Sequence, residues 1–268
     1  MLIALGQNDS LLFYEPNLQR LIVVDPTGRV IRAAEVTVEH GVSVAWSTRG
    51  NIAISGSIST REKAGFPLHF LSSTGVVFRS VSPGTPMSLG YVALQAELIA
   101  RAAAGGFWSV DQDRHVIRHW DSQGQIIGEL RNRPSWFSDR TPYPTVVSMS
   151  EPPLPQVVAM RERRNGHLLV LSLVAGRHWK SGLQQRVGRF GKRVATVEDF
   201  DKYVDTMIED IDSTTGRATA SRRLDGFFPY IVDDSEIAHV VPSPHSSSAV
   251  VEIWRLQDLV DPYRRKKK

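Results

Sequence analysis

Leu21-Ile22-Val23-Val24-Asp25-Pro26-Thr27-Gly28-Arg29-Val30-Ile31-Arg32 reads as two strands folded about a tight turn. Asp25 at the first turn position can accept hydrogen bonds from backbone N–H groups, and Gly28 at the last can take a positive φ at no steric cost. β-Branched residues on both sides favour extended backbone. The pattern returns along the chain. Phe70-Leu71 precedes Ser72-Ser73-Thr74-Gly75 and Val76-Val77-Phe78-Arg79, and Trp120 precedes Asp121-Ser122-Gln123-Gly124 and Gln125-Ile126-Ile127. Ile211 precedes Asp212-Ser213-Thr214-Thr215-Gly216 and Arg217-Ala218, with one residue added. Each copy predicts an antiparallel hairpin.

A second set of turn residues comes before each hairpin or strand pair: Asn8-Asp9-Ser10, Arg49-Gly50-Asn51, Gly105-Gly106, Arg164-Asn165-Gly166 and Asp233-Asp234-Ser235. Each introduces a short apolar strand, such as Ile52-Ala53-Ile54 or Leu168-Leu169-Val170-Leu171. The unit is therefore strand–turn–strand–loop–strand–turn–strand at a pitch of roughly 50 residues, which is what a propeller blade requires. The prediction is an all-β chain, a β-propeller of four-stranded blades, with about five units beginning near residues 1, 41, 90, 154 and 226. Residues 1–260 are expected to form a single propeller domain. The fourth unit carries an insertion, about 175–203, between its second and third strands. The fifth stops after Val250-Val251-Glu252-Ile253-Trp254, and the first begins at its innermost strand. With no spare outer strand at the N-terminus to complete a last blade, the chain is expected to lack an N-terminal blade.

Three segments need separate readings. Ala93 to Ala104 is rich in helix formers, but its place before Gly105-Gly106 predicts an innermost strand. Thr196-Val197-Glu198-Asp199 resembles a capping box and predicts a short helix through Tyr203. Ser135 to Pro155 is dense in Pro and reads as the loop entering the fourth unit.

Composition sets outer limits. The 268 residues contain 41% hydrophobic and 22% charged residues, so a sizeable core is available. There is no Cys, which excludes disulfides and thiolate chemistry but does not fix a compartment. No apolar run approaches the roughly 20 residues that a membrane-spanning helix needs, and Met1-Leu2-Ile3-Ala4-Leu5-Gly6 is too short for a signal h-region. The net charge of +4 is owed to the tail Arg264-Arg265-Lys266-Lys267-Lys268. Residues 261–268 read as a disordered basic tail, and no nucleic-acid partner is expected.

Several of these stretches resemble one known group. Asp9 to Phe13, Arg20-Leu21 with Asp25 to Arg29, Asn165-Gly166-His167-Leu168, Asp205 to Glu209 with Asp212 to Arg217, and Val251 to Leu256 carry the likeness. Together they resemble the bacterial six-bladed β-propeller proteins related to NHL-repeat propellers. The resemblance implies six blades, a cell-envelope or exported setting, and no assigned activity. In related proteins an acidic pair often precedes the Asn-Gly turn. Here Arg161-Glu162-Arg163-Arg164 is mainly basic, so a ligand role is not expected there.

No nucleophile elbow, phosphate-binding glycine loop or His-Glu-x-x-His motif is present. The acidic run Glu198, Asp199, Asp201, Asp205, Glu209, Asp210 and Asp212 lacks a calcium-loop spacing and reads as a solvated strand face. His115 and His119 on a strand would stand about 13 Å apart, too far to share a metal. Trp108, Trp120 and Trp254 fall within strands and read as core. A loop as long as the insertion is either functional or simply mobile; recognition, if the chain has it, is expected there, where Arg177, His178, Trp179, Lys180, Arg186 and Arg189 cluster before Lys192 and Arg193. The expected function is a non-enzymatic scaffold for a protein or small ligand, with no cofactor. The alternative is a metal-dependent hydrolase or lyase with its site at the propeller axis.

Overall fold

The computed structural model describes residues 1–6, 9–58, 60, 65–81, 97–131, 134–138, 147–188, 192–242 and 249–256. Among these, residues to Pro134 form one compact unit and those from Ser135 another.

The first unit holds three four-stranded sheets. β1 (Leu2–Leu5), β2 (Leu11–Glu15), β3 (Arg20–Val24) and β4 (Val30–Glu35) make the first, and β5 (Glu39–Trp46), β6 (Ile52–Ser57), β7 (Leu68–Leu71) and β8 (Val77–Val81) the second. β9 (Glu97–Arg101), β10 (Phe107–Asp111), β11 (Ile117–Trp120) and β12 (Ile126–Leu130) make the third. Each strand runs antiparallel to the one before it. The first strands lie side by side, β1 against β5 and β5 against β9.

The second unit repeats the plan. β13 (Gln156–Glu162), β14 (His167–Ala175), β17 (Val204–Asp212) and β18 (Ala218–Leu224) form a four-stranded sheet. Between β14 and β17, β15 (Leu183–Val187) and β16 (Arg193–Val197) form a separate hairpin, and α1 (Phe200–Tyr203) follows it. β19 (Tyr230–Ile231), β20 (Glu236–Pro242) and β21 (Ala249–Arg255) make a three-stranded sheet among the described residues. β13 lies beside β19. Sequential four-stranded meanders, with first strand against first strand, are the blade plan of a β-propeller.

The four turns take the form that their residues predict. Asp25 Oδ1 accepts from the N–H groups of Thr27 and Arg29, both at 3.0 Å, and Gly28 sits at φ +84°. Asp121 does the same for Gln123 and Gln125, Ser72 for Thr74 and Val76, and Asp212 for Thr214 and Thr215. Directly after each turn the register slips by one residue, so Ile31, Phe78, Ile127 and Thr219 are left unmatched. A bulge at the same blade position four times makes the repeat a property of the backbone as well as of the turns.

Alternation along these strands buries one set of side chains between neighbouring sheets. Leu12, Tyr14, Leu21 and Val23 pack with Val38, Trp46, Ile52 and Ile54. Phe70 packs with Phe107 and Trp120. In the second unit, Leu169, Leu171 and Ile208 pack with Phe228 and Ile237, and Trp254 lies against them. Trp108 and Trp120 are buried and Trp254 partly so, as core positions should be.

Two expectations need correction. Thr196 and Val197 belong to β16, and the cap of α1 is Asp199, whose side chain accepts from Lys202 N–H. The helix is there, but it begins where the strand has ended. The acidic run is not a solvated face. Asp205 and Glu209 are buried, and Asp205 takes Arg223 Nε at 2.7 Å and Gly226 N–H at 3.4 Å. Asp210 takes Arg163 Nη1 at 2.8 Å and faces His167 Nδ1 at 3.1 Å. These carboxylates answer the basic side chains and loop N–H groups of their own unit, an order of contacts that charge counting along one strand does not reveal.

For the three ambiguous segments, residues 97–101 form β9 as the strand reading predicts, whereas 93–96 lie outside the described residues. The described parts of 135–155 contain no helix or strand. Asn8 of the first turn also lies outside the described residues, as does the basic tail.

Candidate functional site

The insertion leaves the fourth sheet through a closed stem. β14 and β17 pair without interruption from His167↔Asp212 to Ala175↔Val204, and Gly176 N–H donates to Tyr203 O at 3.0 Å. Gly182 O then accepts from both Glu198 and Asp199, at 2.9 and 3.2 Å. A Cβ on Gly182 would stand 2.5 Å from Asp199 O and 2.7 Å from Tyr203 N, so the crossing of these backbones requires glycine. Above the crossing, β15 and β16 pair from Leu183↔Val197 to Val187↔Arg193.

α1 ties the insertion to the rest of its unit. Asp201 Oδ1 accepts from Phe227 N–H at 2.9 Å and from His239 Nε2 at 2.8 Å. Phe200 packs at a tilt against Phe227, and Phe228 against His239. The other ring nitrogen of His239 faces Glu252 at 3.6 Å. Both nitrogens are thus turned to carboxylates, and His239 acts as a clamp between α1 and β20. Changing Asp201 to Asn should remove the charge from this clamp at a cost of about 1 kcal/mol, which raises local opening roughly five-fold. Limited proteolysis should read this as faster cutting within 184–196. An unchanged rate would show that the clamp does not hold the hairpin.

The structure distributes the predicted binding residues around this element. Arg177, His178, Lys180 and Arg186 are exposed, and Trp179 is half-buried. Lys180 lies over the Trp179 ring, 5.4 Å from its centroid. Trp179 and Lys180 begin a 3₁₀ turn leading into β15. Arg177 faces Asp225 at 3.9 Å and Arg186 faces Glu198 at 2.7 Å. Lys192 and Arg193 are exposed at the start of β16. Arg189 lies outside the described residues.

A second polar cluster, in the first unit, escaped the sequence reading. Glu97, the first residue of β9, is buried beside Arg118 of β11. Arg118 Nη1 donates to Glu97 Oε1 at 3.0 Å and Arg118 Nε to Glu129 Oε2 at 2.9 Å. Ser55 Oγ takes the Glu97 N–H at 3.0 Å, while Glu97 Oε2 has no hydrogen-bond partner among the described residues. Burial pushes the Glu97 carboxyl up to about 7, against the pull of Arg118 and the Ser109 hydroxyl, with Asp111 and Glu129 adding repulsion. Glu129 moves the other way despite some burial, because Arg131 and Arg118 hold its charge. One cation serves two carboxylates, and the buried one is the easier to protonate. The visible signal was a Glu opening an otherwise apolar strand, Glu97-Leu98-Ile99-Ala100.

His115 and His119 do not form a pair. His115 sits in the turn before β11 at φ +54°, and the His119 ring stacks on Trp108 at 4.1 Å. Among the described residues no group of three His, Asp or Glu side chains could hold a metal ion, and no helix is long and apolar enough to cross a membrane.

No protein-family model and no curated protein matches the chain. Solved structures do. A member of the DUF4221 family from Bacteroides vulgatus matches with a TM-score of 0.52 and 10% identity, over 92% of this chain and 76% of that one. A streptogramin B lyase matches at 0.44 and 12% identity, over 95% and 82%. The WD40 β-propeller domain of Doa1 matches at 0.46 and 10%, over 95% and 68%. At such identity the likeness to the first shows the fold, the β-propeller, and nothing of activity.

Proposed function

We propose that the chain is a non-enzymatic β-propeller scaffold whose protein partner docks on the β15–β16 hairpin. One observation carries the reading: the fourth sheet's insertion folds as a two-stranded element exposed over most of β15 and the start of β16. A lone hairpin is at best marginally stable in water, yet this one is held by a glycine crossing and an Asp201–His239 clamp. It displays Val187 and Val194 beside Arg186 and Arg193. Apolar and cationic groups raised together on a rigid base suit recognition better than core building. The six-bladed, NHL-related parentage, the exported setting and the single domain over 1–260 belong to the same proposal.

The test replaces residues 184–196 with a short Gly-Ser linker and compares the proteins that co-purify with each form. A partner whose recovery falls about ten-fold, roughly 1.4 kcal/mol of affinity, supports the reading. If every partner is recovered equally from both forms, the hairpin is not the docking element.

A further inference from the structure

We propose that β15 takes an extended acidic segment of the partner as a third strand. The proposal rests on the scaffold reading and names the chemistry of what docks. β15 and β16 pair only with each other among the described strands. Gly188 N–H donates to Lys192 O at one end of the hairpin, and Glu198 N–H donates to Gly182 O at the other. With the register between them, these bonds set the phase of the ladder. Residues 184 and 186 turn their backbone groups inward to 196 and 194, so those of Gln185 and Val187 point outward. Gln184 to Val187 are all exposed, and Val187 is 73% exposed. Residues 195–197 of β16 are partly covered, so β15 is the more exposed of the two edges. Unanswered donors and acceptors along an exposed strand are a template for another strand.

Charge selects the occupant. Each carboxylate of the described insertion is already engaged: Glu198 by Arg186, Asp199 by Lys202 and Asp201 by His239. Lys180, Lys192 and Arg193 make no ion pair among the described residues. Arg193 stands directly across from Val187. The hairpin and the turn leading into it therefore carry surplus positive charge around β15, which attracts an acidic strand and repels a basic one.

The test is fluorescence anisotropy of a labelled peptide of about ten residues, alternating Glu and Val, titrated with the full chain. Binding should weaken about ten-fold when Lys replaces Glu, and about ten-fold when alternate peptide nitrogens are methylated to remove backbone donors. Gln185→Pro removes one outward N–H and should weaken binding about ten-fold, whereas Ala195→Pro, on the opposite edge, should leave it within about two-fold. Methylation acts on the peptide alone, so its result does not depend on how the variants fold. Equal binding of the Lys peptide or the methylated peptide overturns the proposal. So does loss of the site through pairing of two copies of the chain, read by sedimentation. If the linker variant loses the native partner while Gln185→Pro keeps it, strand addition fails and the scaffold reading stands. If both keep it, both fail.

Discussion

Replacing Arg118 with Met should lower the folding stability of the first unit by about 3 to 5 kcal/mol at pH 8, the range for breaking a buried ion pair from one side. Met fills much of the space but brings no charge. The two carboxylates then fare differently. Glu129 is partly exposed and keeps Arg131, so it loses little. Glu97 is buried, with no partner for Oε2 among the described residues, and without Arg118 it can stay in place only as the neutral acid. At pH 8 taking up that proton is costly, whereas at pH 5 it costs little, so the loss should shrink in acid. Urea unfolding read by tryptophan emission is suitable because Trp108 and Trp120 are buried on β10 and β11 of the same sheet. The double variant with Glu97→Gln should lose less than Arg118→Met alone, since the stranded charge is then gone. A loss below about 1 kcal/mol at pH 8 would mean that water reaches Glu97 and that the pair is no better than a surface one.

What could be read in the chain was whatever local chemistry decides. Asp25, Ser72, Asp121 and Asp212 specify their turns from within four or five residues, so each hairpin was predictable without its neighbours. The insertion was visible as an interruption of the pitch, and its cluster of cations was visible too. Its form was not. Two glycines, 176 and 182, set the crossing of the stem, and they matter only because distant backbones approach them. The fate of the acidic run was also hidden, since Asp201 meets His239 and Asp210 meets Arg163 across long stretches of sequence. Glu97 shows the same limit. A Glu at a strand start reads as a solvated end, and only the arrival of Ser55 and Arg118 from other strands turns it into a buried acid.

That buried acid should make the stability of the first unit depend on pH in an unusual direction. The Glu97 carboxyl, ordinarily near 4.5, is raised to about 7 in the folded chain. Between those two values the folded form holds a proton that the unfolded form has released, so stability falls as pH rises through the window. Below it both forms are protonated and nothing is lost. Above it the full cost applies, about 3 kcal/mol at about 1.4 kcal/mol per pH unit. Glu97→Gln imitates the neutral acid and can still accept from Arg118. It should match the parent chain near pH 4 and exceed it by about 3 kcal/mol at pH 8. Comparing the two proteins cancels the contribution of groups remote from position 97. Urea midpoints at several pH values between 4 and 8 give the difference directly. Parallel curves would mean that Glu97 ionises in place at its ordinary pH, and that Arg118 alone neutralises a charge it shares with Glu129.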